Sequence, residues 1–196
     1  MKSLGIDVGS SSVKVSLVGL ENGILCASAF YPKSEAPIKA LRKGGAEQDP
    51  ESWWDCLKAA VADVLASTGT DPHEIKCIGI SYQMHGLVCL DSQGEGLRDA
   101  IIWCDSRAVE IGAEACKAIG EQECLASTLN SPGNFTASKL AWVKQNEPEV
   151  FARTAHFMLP GDYIAMRLTG EICTTVSGLS EGMMCSQVSA PADNED

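Results

Sequence analysis

Three short runs of β-forming residues crowd the first thirty positions and constrain this chain more than anything that follows. They read "SLGIDV", "VKVSLVG" and "ILCASAF". Between them lie "GSSS" and "LENG", made of residues that reverse a backbone. Links this short join antiparallel neighbours, so the spacing predicts a meander.

The chain then changes character. Residues 31–48 read as a loop, and "DPESWWDCLKAAVADVLAST" reads as a helix. Asp49 suits the N-cap, Pro50 the first helical position and Glu51 the first turn. Trp53, Leu57, Ala60, Val61, Val64 and Leu65 recur at helical spacing, and Gly69 stops the run. "IKCIGISY" predicts a buried strand and "LVCLDSQGEGLRDAIIWCD" a hairpin. From Arg107 the pattern is helical. In "TASKLAWVKQNEPEVFART", Leu140 and Val143 share a face and Pro148 opens a second helix. A short strand at "AHFML" and a helix at "GDYIAMRL" follow.

This order predicts an α/β domain over residues 1–184, with a mixed sheet that opens in an antiparallel meander. Residues 185–196, "CSQVSAPADNED", lack periodicity and are expected to form a disordered tail.

Composition excludes several classes. The 15 basic residues are outnumbered by 26 acidic ones, a net charge of −11, and no basic cluster marks a nucleic-acid partner. No apolar run approaches bilayer length, and Asp7 interrupts the first apolar stretch, so neither a membrane span nor a signal peptide is expected. The nine cysteines form no C-x-x-C pair. Those in "IKCIGI", "LVCLD" and "IIWCD" read as small core residues, and the set as reduced thiols in a cytoplasmic protein.

Three places offer chemistry. A tight turn after Asp7 brings the N–H groups of Gly9, Ser10, Ser11 and Ser12 together, which suits phosphate oxygens, and Asp7 beside it could hold Mg²⁺ through water. An ordinary hairpin explains the same residues. In "SYQMHGLVCLD", Gln83, Met84 and His85 fall at a strand end, where Gln and His can exchange hydrogen bonds with a sugar's hydroxyls; a structural histidine is the plainer alternative. In "IIWCDSRA", Trp103, Asp105 and Arg107 alternate at period two and would share a face of a strand, as a polyol platform or a surface ion pair.

Taken in order, these stretches resemble successive motifs of the FGGY carbohydrate kinases. "GIDVGSSSVKVSLV", "AEQDPESWW", "GISYQMHGLVCLD", "AIIWCDSRA", "NFTASKLAWVKQNEPEVF" and "MLPGDYIAMRLTGEICTTVSGLSEG" carry the likeness, from residue 3 to about 184. Within that family the chain is most similar to the xylulokinases, which share "QMHG". The resemblance implies an actin-like, ribonuclease-H-type ATPase fold and phosphorylation of a sugar, D-xylulose to xylulose 5-phosphate, with ATP and Mg²⁺. It implies that Asp7 lies by the metal and transferring phosphate, that Gly9, Ser10, Ser11, Ser12 and Lys14 face phosphate, and that Gln83, Met84, His85, Trp103, Asp105, Arg107, Asn134 and Phe135 face sugar. Family members are longer, and their general-base aspartate lies beyond the stretch matching Gly182. The chain is therefore expected to hold most of the N-terminal domain, incomplete at its C-terminal end, to lack activity alone, and to self-associate through the unfinished edge. A sugar-binding or regulatory fragment and a nuclease using Asp7 are the alternatives.

Overall fold

A computed structural model describes residues 1–184. The predicted tail lies outside them. The first three runs are strands β1 (Lys2–Val8), β2 (Val13–Gly19) and β3 (Leu25–Tyr31), paired as the expected antiparallel meander. A two-residue strand, β4 (Glu47–Gln48), precedes helix α1 (Pro50–Thr68). Asp49 caps that helix by accepting the Glu51 N–H at 3.0 Å. Gly69 ends it at φ 62°, a left-handed conformation that costs glycine nothing.

Strand β5 (Ile75–Tyr82) then pairs with β1 in parallel, giving a four-stranded sheet of order β3-β2-β1-β5. The covalent excursion between β1 and β5 contains α1, as a parallel connection requires. Alternation along the strands sends Leu4, Ile6, Val8, Val13, Val15 and Leu17 to one face. There they meet Trp53, Leu57, Ala60 and Val64 of α1 and Tyr163, Ile164 and Met166 of α6 (Pro160–Thr169). Each fully buried large side chain contributes about 1.5–3 kcal/mol, so this face is the main source of stability. The other face carries Asp7, Lys14, Ser16, Ser28, Phe30, Cys77 and Ser81, none of them buried.

Two expectations need correction here. The β5 sequence is apolar, but Cys77, Ile78 and Gly79 are exposed. The strand is an edge, so periodicity alone could not say whether anything covers it. The "LVCLD…IIWCD" segment is not a simple hairpin either. It contains strands β6 (Val88–Leu90) and β7 (Ala100–Ile101), and pairs with itself only at isolated antiparallel bridges, Leu87 to Ile101 and Leu90 to Gly96. The ladders of these two strands run to β8 (His156–Met158) and to β4.

Helices α2 (Val109–Ile119), α3 (Glu121–Thr128), α4 (Thr136–Asn146) and α5 (Pro148–Arg153) make the rest of the domain, with α7 (Val176–Glu181) after α6. A second core forms where Trp142 and Val143 of α4 meet Leu87, Cys89, Ile101 and Ala108. The eight described cysteines are free thiols, but the core reading holds for Cys89 and fails for Cys77 and Cys104, which are exposed. Among the described residues no helix is long and apolar enough to cross a membrane.

Candidate functional site

The parallel pair β1 and β5 decides where a site can form. Ligands favour the crevice beyond the carboxyl ends of parallel strands, because chain segments diverge there and leave backbone groups unpaired. Asp7 and Ser81 are partners near those ends, and the Gln83 N–H donates to the Val8 carbonyl at 2.8 Å. The 9–12 turn and the 83–86 segment therefore leave the sheet side by side.

Asp7 is half exposed on the open face, with Lys14 Nζ 3.6 Å from its Oδ2. The solvent around both groups limits this attraction to about 0–1 kcal/mol, so neither is locked by the other. They line an open hollow of about 520 Å³ with Ser16, Gly79 and Ser81. In the turn, the Gly9 N–H closes on the Ser12 carbonyl at 3.1 Å. The convergent set is thus smaller than expected. Gly9 is spent, while the N–H groups of Ser10, Ser11 and Ser12 donate to no acceptor among the described residues.

Gln48, which sequence reasoning missed, ties this turn to the next segment. Its Nε2 donates to the Ser10 carbonyl at 2.7 Å. Its Oε1 accepts from Trp53 Nε1 at 3.1 Å and from Gln83 Nε2 at 3.3 Å. Gln83 is buried and serves this network, although its Oε1 lacks a partner. Trp103 is 46% exposed and its indole N–H reaches Ser10 Oγ at 3.3 Å, while Asn134 Nδ2 donates to the Trp103 carbonyl at 2.7 Å. Ser10, Trp103 and Asn134 so form one rim.

His85 stands on the other side of that rim at φ 59°, which is uncommon for a non-glycine residue. Its surroundings hold it there. The His85 carbonyl accepts from Lys139 Nζ at 2.6 Å, its N–H donates to the Glu181 carboxylate, and its ring packs on Phe135 with centroids 4.1 Å apart. Gly86 follows because α6 passes close: a Cβ there would lie 2.4 Å from Pro160 Cγ. Met84 is exposed. Lys139 is buried, and that burial pulls its amine down to about 8, against the opposing pull of the Asp105 charge.

The stretch at 103–107 corrects the period-two reading. It is a turn, not a strand, and of Trp103, Asp105 and Arg107 only Trp103 is exposed. Asp105 is fully buried. It accepts from the Ala46 N–H at 2.5 Å and from Arg107 Nε and Nη2 at 2.9 and 2.7 Å. Burial pushes its carboxyl up, but the Arg107 fork and the Ala46 N–H outweigh burial and hold it below the ordinary range. Arg107 also pairs with Glu47 at 2.7 Å and stacks over Trp142, and Arg98 bridges Glu47 to Glu147. These charges brace the loop behind Trp103.

The site thus unites Asp7, Ser10, Gln83, His85, Trp103, Asn134 and Phe135, and turns Asp105 and Arg107 inward. Lys139 and Glu181 were missed. Lys139 left a signal, a lysine in the inward register of α4 beside Val143, whereas Glu181, 96 residues from His85, left none. Phosphate fits the free serine N–H groups. Mg²⁺ fits a single open carboxylate, because it keeps several waters and takes other ligands from phosphate. Among the described residues no group of three or more His, Cys, Asp or Glu is assembled, so the acid cluster that a two-metal nuclease uses is not formed by them.

Comparison with known proteins decides the family. A sequence model of the FGGY family of carbohydrate kinases, N-terminal domain, matches residues 3–190. The chain belongs to the FGGY family of carbohydrate kinases. It is 34% identical over 202 residues to the xylulose kinase of Bacillus subtilis (strain 168), covering 97% of this chain and 40% of that protein. Among solved structures it matches the xylulose kinase from Rhodospirillum rubrum with a TM-score of 0.85 at 28% identity, over 96% of this chain and 38% of that one. It also matches gluconate kinase from Lactobacillus acidophilus at TM-score 0.81 and 28% identity, over 92% and 36%. The fold is therefore the actin-like ATPase fold, α/β with a mixed sheet. The chain spans two fifths or less of the length of these three FGGY relatives.

Proposed function

We propose that this chain supplies the sugar-facing, N-terminal part of an ATP-dependent sugar kinase whose favoured substrate is D-xylulose. One observation carries the reading: a half-exposed carboxylate and a turn with free N–H groups end β1 beside a rim of His85, Phe135, Trp103 and Asn134. A phosphate-side cluster and a hydroxyl-side cluster on adjacent strand ends suit transfer between them.

ATP, when bound, supplies the phosphoryl group, and Mg²⁺ offsets its charge. The chain's own residues position. Asp7 would hold the metal, and the N–H groups of Ser10, Ser11 and Ser12 would donate to phosphate oxygens with Lys14 nearby. His85, Trp103 and Met84 would hold the sugar so that a primary hydroxyl points toward the phosphate. Asp105 and Arg107 support the Trp103 loop from behind.

A second reading, a sugar-binding portion without turnover, has its own support. The carboxylate next to His85, that of Glu181, is engaged with the His85 N–H, so it does not stand free to take a proton from a hydroxyl.

Thermal unfolding with D-xylulose, gluconate, glycerol or Mg·ATP tests the proposal. A sugar at about 100 times its Kd adds about 2.7 kcal/mol. For a chain of this size that is a rise of about 5–10 °C. The expected result is a rise with D-xylulose that exceeds the other sugars. A larger rise with gluconate or glycerol moves the substrate, and no response to any sugar removes the sugar reading.

A further inference from the structure

His85 has two ring nitrogens, and a neutral imidazole carries a proton on only one of them. Which one is set by the bond that the other nitrogen makes. Nδ1 is buried 2.9 Å from Glu181 Oε1, an oxygen that already accepts the His85 backbone N–H. Nδ1 and Glu181 Oε2 are both buried and neither makes a hydrogen bond among the described residues, so the 2.9 Å approach of Nδ1 to Oε1 is a close contact without hydrogen-bond alignment. A carboxylate only accepts. An unprotonated Nδ1 would set a lone pair against that oxygen and stay buried without a partner, whereas a proton on Nδ1 faces an acceptor 2.9 Å away.

The rest of His85 is fixed independently. Lys139 of α4 holds its carbonyl at 2.6 Å, Phe135 covers a ring face, and the Ala137 N–H of α4 donates to the Gly182 carbonyl at 3.1 Å. That last bond joins the start of α4 to the end of α7, so Glu181 and Lys139 grip the same residue from two helices that are themselves tied together. Nε2 is left as the edge that no protein group among the described residues engages.

We propose that Glu181 is a positioning residue: it keeps the proton of His85 on Nδ1 and thereby presents Nε2 as a bare acceptor for a ligand hydroxyl. The ligand clause rests on the sugar reading above; the proton assignment does not. A site arranged in this way selects ligands with an O–H donor at that point and disfavours a carbonyl oxygen there.

The test is a two-bond ¹H–¹⁵N NMR spectrum of the 196-residue chain, recorded at alkaline pH where imidazole is neutral, with His85→Gln to assign the signals. The expected pattern is a protonated Nδ1 and an unprotonated Nε2. In Glu181→Leu, which leaves an Nδ1 proton without an acceptor, the proton is expected to move to Nε2 while His73 and His156 keep their wild-type signals. A protonated Nε2 in the wild-type chain overturns the assignment, as does an unchanged tautomer in a folded Glu181→Leu. If that variant fails to fold, the wild-type spectrum alone decides. D-xylulose is then added: a shift of Nε2 supports the hydroxyl contact. An unmoved Nε2 with the expected tautomer overturns the ligand clause and leaves the role of Glu181 supported.

Discussion

Two residues two positions apart, Trp103 and Asp105, illustrate how different the roles within one short stretch can be. Asp105 is fully buried and is the shared acceptor of Ala46 and Arg107. Its removal leaves the Arg107 charge buried with only Glu47 to face, and breaking a buried pair from one side costs about 3–5 kcal/mol. Asp105→Ala is therefore expected to lose about that much stability in urea unfolding. Trp103 is 46% exposed. Trp103→Ala should stay within about 0.5 kcal/mol of the parent and instead diminish the thermal shift produced by sugar. Equal destabilisation by the two variants would mean that Trp103 is also structural. The sequence showed this triplet but not its split, because period-two spacing assigns a face only if the segment is a strand, and here it is a turn. His85 was legible as a polar residue between two apolar runs. Glu181 was not, since its importance lies in a contact across 96 positions.

At the scale of elements, local rules served best where local chemistry decides. The meander and α1 followed from turn residues, capping and helical spacing, all read within a few residues of where they act. The status of β5 depended on what lies beside it, which no local pattern records. Its outer edge has no strand partner among the described residues, and Ile78 is 46% exposed. An eight-residue apolar edge offers a row of unpaired backbone groups to any similar strand. We propose that the isolated chain self-associates through β5. Sedimentation velocity should show association that grows with concentration, and Ile78→Lys should suppress it, because a charged side chain on an edge opposes pairing. A parent chain that sediments as a monomer at every concentration removes this proposal.

Across the whole molecule, the site hangs between two cores. One lies under the sheet and the other around Trp142, and Lys139 crosses from the second to hold the His85 carbonyl. Burying that amine has a consequence for stability against pH. Its folded value is about 8 against an ordinary 10.5, so between these limits the unfolded chain binds more protons, and this group makes the fold more stable as pH rises. A shift of that size corresponds to about 3 kcal/mol. Cys89 acts in the opposite sense. Burial raises its thiol from 9.0 to about 11, so its contribution is present below pH 9 and fades as pH climbs toward 11. Tyr82, raised from 10.0 to about 12 by burial, adds to that loss at still higher pH, and the net charge of −11 grows more negative meanwhile, increasing self-repulsion. The total profile therefore mixes opposing slopes, and a difference between two chains separates them. Stability of the wild-type chain minus that of Lys139→Met, measured by urea unfolding from about pH 7 to 10.5, should rise by about 3 kcal/mol across the window. Methionine keeps the length and apolar character of the stem, so the other groups titrate alike in both chains and cancel. Parallel profiles would mean that the Lys139 amine keeps its ordinary affinity for the proton, and that it holds the His85 carbonyl as a solvated ammonium, not as a buried one.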